Sequence, residues 1–432
     1  MRGYLGRGSV FRTLANISAM TPRPVSEPRP DEFGRPSAHA PGSATVAVIG
    51  DGQLARMMHT AAIELGQSLR LLAGSPDASA AQVCADVVLG DYKDLADLRR
   101  AAEGCDALTF DHEHVPNEHL NILIANGIAV EPRPSALIYA QDKLLMRQRL
   151  KELGVPVPVF AEITSTEDAS AFWAKTEGQV CLKTRRGGYD GHGVWFPESE
   201  EEFCQLVSEL TAKDAPLMAE RKVALDRELS AMVARRQSGE VRGWPVVESV
   251  QRDGICAEAI APAPGLDEKL EAQAREIALK VAEGLGVTGV LAVELFEAAG
   301  EISVNELAMR PHNTGHWTQD GCITSQFEQH LRAVLDQPLG ATDATAAVTV
   351  MANVLGAAED PDMPMSERVA HVHQRFPQAK VHLYGKTHRP GRKIGHVNLC
   401  GEDVAETRHN AQLAAGFLVH ARWADQDADQ AS

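Results

Sequence analysis

Two glutamates on neighbouring β-rich runs could hold a metal ion between them. The runs lie in GVLAVELFEAAGEISVNELAMRP (residues 289–311), and Gly300 between them can take the positive φ of a hairpin turn. A hairpin centred on Gly300 places Glu294 directly opposite Glu306 on one face. Facing carboxylates repel each other unless a cation lies between them, and Mg²⁺ prefers oxygen ligands of this kind. The spacing therefore predicts a magnesium site, with a solvated face whose charges splay apart as the alternative. Asn305 joins the site only if a bulge turns it to this face.

The segment LKTRRGGYDGHGVW (residues 182–195) has the composition of a phosphate-binding loop. Lys183 ends a predicted strand, and a stretch with little side-chain bulk follows it. The backbone N–H groups of such a loop can face phosphate oxygens while the lysine adds a positive charge. No Gly-Lys-Ser/Thr closes the loop, so it is not a Walker motif, and a flexible hairpin with an exposed lysine is the alternative. The glycines are Gly187, Gly188, Gly191 and Gly193.

Two further clusters are rich in groups that bind anions. The stretch RPHNTGH (residues 310–316) follows closely after the second glutamate, which favours binding of an anionic substrate beside the metal. The stretch YGKTHRPGRKIGH (residues 384–396) is basic in an acidic chain, and it predicts either a sugar-phosphate site or a solvated loop. The candidates are Arg310, His312, Asn313 and His316 in the first cluster, and Lys386, Arg389, Arg392 and Lys393 in the second.

The overall composition restricts the class of protein. A chain of 432 residues has room for roughly two to four compact units. Its 44% hydrophobic content, without an apolar run long enough to cross a bilayer, predicts a soluble globular protein. A formal charge of −17 argues against a duplex nucleic-acid binder. The seven cysteines include no CxxC pair and no His/Cys cluster at zinc spacing, so we expect buried thiols in a reducing cytoplasm.

Two regions of contrasting order precede these motifs. Residues 1–43 are rich in arginine and proline without hydrophobic periodicity, which predicts a disordered extension, with a targeting leader as the alternative. Order begins at TVAVIGDGQLARMM, a strand, a tight turn and a helix, and short strands recur to about residue 135. We expect a parallel α/β sheet here. The lone Gly-Asp-Gly leaves nucleotide binding and a simple tight turn both open.

Seven motifs occur in an order that resembles one enzyme family. From about residue 45 to 425, the chain is similar to the N5-carboxyaminoimidazole ribonucleotide synthetases, which are ATP-grasp enzymes of purine biosynthesis. RPHNTGHWT followed by SQFEQHLRA is specific to this family, whereas the glycine loop and the paired glutamates fit any ATP-grasp ligase. The motifs are GDGQLARMM, TFDHEHVP, QDKLLMRQRL, LKTRRGGYDGHG, AERKVALDRELSAMVAR, VNELAMRPHNTGHWTQDGCITSQFEQHLRAVLDQPLG and YGKTHRPGRKIGH.

The resemblance implies a mixed α/β and α+β architecture of the ATP-grasp type, in a cytoplasmic homodimer. The implied segments are a disordered extension (1–43), an N-terminal α/β pre-ATP-grasp domain (44–143), a lid subdomain (144–240), a catalytic domain (241–345) and a small β-rich C-terminal domain (346–425).

The resemblance also implies the reaction. ATP and bicarbonate would give carboxyphosphate and ADP, and the exocyclic amine of 5-aminoimidazole ribonucleotide would then take the carboxyl group and release phosphate. Mg²⁺, with Mn²⁺ as a substitute, would offset charge on the transferring phosphoryl group without any covalent enzyme nucleophile. The expected partners are these small molecules and, transiently, the next purine-pathway mutase, with no nucleic acid and no membrane.

Residue roles follow from the matching positions. Lys143 and Lys183 would contact ATP phosphates, and Glu228 the ribose. The implied ATP site comprises Lys143, Lys183, Gly188, Tyr189, Asp190, Gly191, His192, Gly193, Val194, Glu220, Arg221, Lys222, Val223, Glu228, Gln251, Asn305 and Glu306, with Glu220 and Val223 at the adenine. The implied ribonucleotide site comprises Glu113, Tyr189, Asp190, Arg310, His312 and Asn313, with Lys386 and Arg392 on its phosphate. The catalytic set is Arg310, His312 and Asn313, and the metal ligands are Glu294 and Glu306.

Two rival functions remain open. One is another ATP-grasp ligase that uses an acyl phosphate, such as a formate-dependent glycinamide ribonucleotide transformylase or a biotin carboxylase; the RPHNTGHWT run argues against it. The other is a catalytically silent nucleotide-binding regulator. The presence of Lys183, Glu294 and Glu306 argues against that alternative.

Overall fold

The computed structural model describes residues 39–187, 193–252 and 254–425. The predicted extension therefore lies outside the described residues except for its last five, where the Ala40 N–H donates to Ser68 Oγ at 2.9 Å. The strands are β1 Thr45–Ile49, β2 Ser68–Ala73, β3 Asp86–Leu89, β4 Ala107–Phe110, β5 Phe160–Ile163, β6 Val180–Thr184, β7 Val194–Trp195, β8 Leu217–Arg221, β9 Arg227–Arg235, β10 Val241–Gly243, β11 Val247–Arg252, β12 Ile255–Ala261, β13 Gly289–Ala298, β14 Glu301–Ala308, β15 Val348–Leu355, β16 Lys380–Leu383 and β17 Lys393–Gly401. The helices are α1 Gln53–Glu64, α2 Leu95–Ala102, α3 Asn117–Ala125, α4 Pro134–Gln141, α5 Lys143–Glu152, α6 Thr166–Thr176, α7 Glu200–Thr211, α8 Glu268–Leu285, α9 Thr318–Gly321, α10 Gln326–Val334, α11 Met365–Arg375 and α12 Val404–His420.

The N-terminal segment forms a parallel sheet in the order β3-β2-β1-β4, as its strand-turn-helix pattern predicted. The turn after β1 requires glycine, because Gly50 has φ +121° and a Cβ there would lie 1.7 Å from Asp111 Oδ1. The Gly52 N–H donates to Asp111 Oδ2 at 2.6 Å. The chain's own carboxylate thus occupies this N–H donor, which favours the tight-turn interpretation over nucleotide binding.

The second sheet is antiparallel, in the order β5-β8-β6-β7, and it presents two different faces. Side chains alternate along a strand. On β6, Val180 and Leu182 pack with α6 and α7 in an apolar cluster that includes Phe172 and Phe203. Cys181 and Lys183 alternate with these residues and therefore face the other way, toward a cavity. This sheet therefore orients the predicted phosphate-binding lysine, Lys183, toward the cavity.

The third sheet has nine strands among the described residues, in the order β14-β13-β9-β11-β12-β15-β17-β16, with β10 paired to β9. Leu291, Val293 and Leu295 of β13 pack against α8 in the largest apolar cluster. Glu294 and Phe296 alternate with these residues and face the cavity. Burial of one face thereby fixes the direction of the predicted metal ligand on the other.

The assignment of strands to the large sheet concerns two of the predicted domains, the lid and the C-terminal domain. Strand β9 pairs with β13 in the large sheet, although it falls within the lid predicted over residues 144–240. We therefore propose that the lid ends between residues 221 and 227. Strands β15, β17 and β16 continue the same large sheet, and α12 packs on them, so the predicted β-rich domain at 346–425 also contains helices.

Within the described part of the chain, none of the helices combines the length and the apolar character needed to span a membrane.

Candidate active site

A cavity of about 1080 Å³ lies between the two antiparallel sheets and the N-terminal domain, and it collects most of the predicted site residues. Gly193, Lys386 and Arg392 are described but are not part of its lining. Gly188, Tyr189, Asp190, Gly191 and His192 lie outside the described residues. The predicted residues that line the cavity are Glu113, Lys143, Lys183, Val194, Glu220, Arg221, Lys222, Val223, Glu228, Gln251, Glu294, Asn305, Glu306, Arg310, His312 and Asn313.

The two predicted metal ligands face each other, although the hairpin differs from the expected one. Glu294 pairs with Glu306 in the β13–β14 register, as predicted. The turn, however, is the two-residue Ala299-Gly300 loop, with φ +51° and +75° at these residues. A regular hairpin about that turn would pair Glu294 with Asn305. A bulge next to Glu294 inserts one residue into β14 and restores the Glu294–Glu306 pair.

The bulge also explains how Asn305 reaches the cavity. Val304 and Leu307 both belong to the apolar core, although regular alternation over three positions would put them on opposite faces. Asn305 and Glu306 both line the cavity in consequence. The condition attached to the Asn305 prediction is thus met.

Each carboxylate is paired with a cationic or proton-bearing group. Lys143 Nζ lies 2.5 Å from Glu306 Oε1, and His312 Nε2 lies 3.1 Å from Glu294 Oε1. Burial would raise the pKa of Glu294, but the hydrogen bond and charge of His312, with Arg310 and Lys143, hold it below its usual value. The carboxylate is therefore ionised at neutral pH, as a metal ligand must be.

The donor set fits Mg²⁺. No group of three or more His, Cys, Asp or Glu side chains suited to a metal occurs among the described residues. Mg²⁺ characteristically takes one or two protein carboxylates, with substrate phosphates and water completing its shell. Glu294 and Glu306 supply that number of carboxylates on one cavity wall, opposite the lysine-bearing sheet.

On the opposite wall, Lys183 is held by a buried ion-pair network. Its Nζ donates to Glu220 Oε2 at 2.8 Å, and Arg147 Nε donates to Glu220 Oε1 at 2.5 Å. Burial would raise the pKa of Glu220, but Arg147 and Lys183 lower it to about 2. Because the Glu220 side chain is engaged in this network, we propose that its predicted contact with adenine comes from its main chain.

Arg147 was not among the predicted site residues, although its position in the sequence carries a signal. Arg147 falls three residues from both Leu144 and Leu150, so it lies on the buried face of α5. A charged residue in that position of an amphipathic helix indicates a buried partner, because burying an unpaired charge is costly.

Glu228 lies on β9 beside the carboxylate pair. Burial and the nearby Glu294 charge together raise its pKa to about 7, although Lys183 opposes both effects. Near neutral pH this side chain can therefore donate a hydrogen bond as well as accept one. That property suits the ribose hydroxyls assigned to it by resemblance.

The third wall joins the N-terminal domain to the end of β14. Glu113 follows β4, and its Oε2 accepts from Arg310 Nε at 2.8 Å, while its Oε1 accepts from the Met309 N–H at 3.2 Å. Burial alone would lower the pKa of the Arg310 guanidinium, but the negative charges of Glu113, Asp111 and Glu306 raise it above its usual value. A fixed cation with a planar fork of donors is thus held beside the carboxylate pair.

The polar loop after β14 divides into cavity residues and a buried residue. His312 and Asn313 line the cavity, and neither amide atom of Asn313 has a hydrogen-bond partner among the described residues. His316, predicted to share this loop's anion-binding role, is instead fully buried, and its ring packs tilted against that of His396 with 4.9 Å between the ring centroids. Burial and nearby positive groups hold the pKa of His316 well below its usual value, so it cannot serve as a cation.

Lys386 and Arg392 lie apart from the main cavity, next to the N-terminal domain. Lys386 Nζ contacts Gln53 Oε1 at the start of α1. Ser79 Oγ donates to the Tyr384 carbonyl oxygen at 2.6 Å, which fixes the same segment to the N-terminal domain. Arg392 donates to the Thr387 carbonyl oxygen at 3.1 Å. A neighbouring basic residue, Lys393, does line the cavity.

A lysine-bearing antiparallel sheet that faces a carboxylate pair on a larger sheet, across a deep cavity, defines an ATP-grasp ligase. A family model described as the ATP-grasp domain matches residues 148–327. Two further models match on either side: the ribonucleotide synthetase preATP-grasp domain at residues 43–141 and the phosphoribosylaminoimidazole carboxylase C-terminal domain at residues 349–410. The chain belongs to the N5-carboxyaminoimidazole ribonucleotide synthase family.

The family assignment rests on relatives that this chain matches over nearly their whole length. The N5-carboxyaminoimidazole ribonucleotide synthase of Corynebacterium ammoniagenes is 63% identical over 406 residues, which is 93% of this chain and 98% of that protein. The Aspergillus clavatus carboxyaminoimidazole ribonucleotide synthase complexed with ATP is 31% identical, with a TM-score of 0.79 over 87% of this chain and 98% of that one. A structure of the A. clavatus enzyme with ADP and 5-aminoimidazole ribonucleotide is 29% identical, with a TM-score of 0.78 over 87% and 98% of the two chains.

Proposed function

We propose that the protein uses ATP and bicarbonate to carboxylate 5-aminoimidazole ribonucleotide to its N5-carboxyamino derivative, in purine biosynthesis. The observation that carries the proposal is the convergence of three groups on one cavity: the lysines Lys143 and Lys183, the carboxylates Glu294 and Glu306, and the Glu113–Arg310 pair. The first two groups suit phosphoryl transfer from a nucleotide. The third suits an anionic intermediate beside a second substrate.

The first half-reaction is transfer of the γ-phosphoryl group of ATP to bicarbonate. A bicarbonate oxygen forms a bond to phosphorus while the bond to the ADP oxygen breaks, giving carboxyphosphate and ADP. Lys143 and Lys183 lie on facing walls and would bind the phosphate oxygens on which charge is carried. Mg²⁺ held by Glu294 and Glu306 would supply further charge stabilisation.

The second half-reaction is transfer of the carboxyl group to the amine. The exocyclic nitrogen bonds to the carbonyl carbon, the bond from that carbon to the phosphate oxygen breaks, and the nitrogen loses one proton. Arg310 lies where it can hold carboxyphosphate, and the buried amide of Asn313 offers a donor and an acceptor to the bound substrates. His312 lies in the same cavity, with its Nε2 3.1 Å from Glu294 Oε1.

The carboxyphosphate step has a direct test. With bicarbonate labelled in all oxygens with ¹⁸O, each turnover should transfer one labelled oxygen to inorganic phosphate, because that oxygen bridges carbon and phosphorus. Mass analysis of the phosphate measures the transfer. Unlabelled phosphate during rapid turnover would contradict the proposal, and formate in place of bicarbonate should support no turnover.

Lys386 is proposed to bind the ribonucleotide phosphate, and its titration gives a pH prediction. Burial and the positive charge of the neighbouring Arg392 together lower its pKa to about 8. The ammonium therefore loses its proton as pH rises through 8, so the KM for the ribonucleotide should increase about 10-fold between pH 7 and pH 9. Steady-state kinetics across that range measure this change.

Two variants separate Lys386 from other titrating groups. Arginine does not titrate in this range, so Lys386→Arg should flatten the pH dependence of KM. The exposed Arg389 lies in the same segment, and Arg389→Gln should keep the wild-type profile. An unchanged profile in Lys386→Arg would show that another group controls ribonucleotide binding.

The remaining components of the proposal follow from family membership. We propose Mg²⁺ as the metal, with Mn²⁺ as a substitute, and a cytoplasmic homodimer as the working form. A carbamate of this kind is expected to decompose in water. Transient contact with the mutase that consumes the product would limit that loss.

A further inference from the structure

Arg147 lies behind the cavity and connects two of its walls. Its side chain is fully buried. Nε donates to Glu220 Oε1 on β8 at 2.5 Å, and Nη2 donates to the carbonyl oxygen of Asn305 on β14 at 2.6 Å. One guanidinium therefore bonds both to the sheet that carries Lys183 and to the sheet that carries the metal-binding carboxylates.

The contact with Glu220 controls how Lys183 is presented to the cavity. Each Glu220 oxygen accepts from one cation, Oε1 from Arg147 and Oε2 from Lys183. The ammonium has three N–H donors, and this arrangement engages one of them with Glu220. If Arg147 were absent, both carboxylate oxygens would be open to Lys183 and would draw the ammonium away from a bound phosphate.

The contact with Asn305 acts on the second wall. Asn305 is the residue inserted by the β14 bulge, and a bulge leaves its extra residue without a regular strand partner. The Asn305 carbonyl oxygen accepts from Arg147 instead. The same bulge brings Glu306 opposite Glu294, so Arg147 bonds to the backbone feature that sets the carboxylate register.

Stability alone does not account for an arginine at this position. Burying a guanidinium is costly, and well-packed apolar residues often replace buried ion pairs without loss of stability. The neighbouring positions on this face of α5 are leucines. Nη1 of Arg147 has no hydrogen-bond partner among the described residues, so even this arginine is incompletely satisfied.

We infer that Arg147 is a positioning residue that sets both the phosphate-facing ammonium of Lys183 and the register of the carboxylate pair for a magnesium-bound nucleotide. The inference rests on the proposed function for the identity of that ligand. It concerns nucleotide and metal binding, and neither bicarbonate nor ribonucleotide is needed to test it.

The test is titration calorimetry of ADP into the full-length protein, with and without Mg²⁺. Arg147→Gln removes the charge at both contacts. Its ADP affinity should fall about 10-fold, and the gain in affinity that Mg²⁺ gives the wild type should fall by a further 10-fold or more, as for other residues that orient metal ligands. The matched control is Arg149→Gln on the same helix, where Arg149 pairs at the surface with Glu152; it should bind as wild type does.

Arg147→Lys separates the two contacts and covers the case in which the glutamine variant fails to fold. A lysine can reach Glu220 but lacks the fork that also reaches the Asn305 carbonyl. ADP affinity without Mg²⁺ should stay within about 3-fold of wild type, while the Mg²⁺-dependent gain should fall about 10-fold.

Thermal unfolding identifies which of the two variants are folded. A folded Arg147→Gln or Arg147→Lys protein that keeps the wild-type Mg²⁺ gain would overturn the inference, as would an Arg147→Lys protein that loses both affinities equally.

Discussion

Replacing Glu306 with glutamine is expected to lower ribonucleotide-dependent ADP formation by about 10²–10³-fold, comparable with removal of one transition-state stabilising group. The substitution preserves size but removes the negative charge. It therefore weakens the carboxylate pair with Glu294 and the 2.5 Å ion pair with Lys143 in one change. Steady-state rates over a range of Mg²⁺ concentrations measure the effect.

The hairpin supplies its own control for this prediction. Glu301 lies on the same strand at the exposed turn, and Glu301→Gln should leave the rate unchanged. Higher Mg²⁺ should recover part of the Glu306→Gln activity if the loss comes from metal binding. A Glu306→Gln rate within about 3-fold of wild type would remove Glu306 from the proposed metal site, since metal-centred charge stabilisation is worth several kcal/mol.

Replacing Arg310 should separate nucleotide binding from carboxylation. Arg310→Gln leaves Glu113 buried without its cation and removes the donors proposed for carboxyphosphate. We expect ribonucleotide-dependent turnover to fall about 10²-fold or more. ADP affinity should change little, because Lys183 and Glu220 form a separate network. Calorimetry and product formation measure the two quantities on the same samples.

Charge and geometry at Arg310 can be tested apart. Arg310→Lys keeps the positive charge but loses the planar fork of donors, so its activity should fall between those of Arg310→Gln and wild type. The control is Arg242, which is exposed on β10 in the nine-stranded sheet that also contains β14, the strand that precedes Arg310. Arg242→Gln should behave as wild type. Parallel loss of ADP affinity and turnover in Arg310→Gln would indicate damage to the whole cavity and contradict the assigned role.

The sequence predicted the carboxylate pair because hairpin geometry is local. Gly300 marked the turn, and alternation of apolar residues on β13 and β14 set the buried face. The predicted centre of the hairpin was wrong, since the turn spans Ala299 and Gly300, and the bulge compensated for the error. The alternation of a single strand does not specify the bulge, whose inserted residue Asn305 bonds through its carbonyl oxygen to Arg147 on a distant helix.

Long-range contacts account for the other differences. The network of Glu220, Arg147 and Lys183 joins residues 37 and 73 positions apart, so no spacing rule connects them. His316 occurs in a polar stretch, yet β17 covers it with His396. Glu220 and His316 were both predicted to contact a ligand, and in the fold the side chain of each has a buried protein partner.

The measurement that tests the account most directly is ADP formation by the wild-type protein with Mg²⁺, ATP and bicarbonate, with and without 5-aminoimidazole ribonucleotide. We expect strong stimulation by the ribonucleotide, a requirement for bicarbonate, and one ADP per carboxylated product. ADP formation at the same rate without the ribonucleotide, or no turnover at all in a folded protein that binds ADP, would contradict the proposed function and point to another acceptor or to a nucleotide-binding regulator.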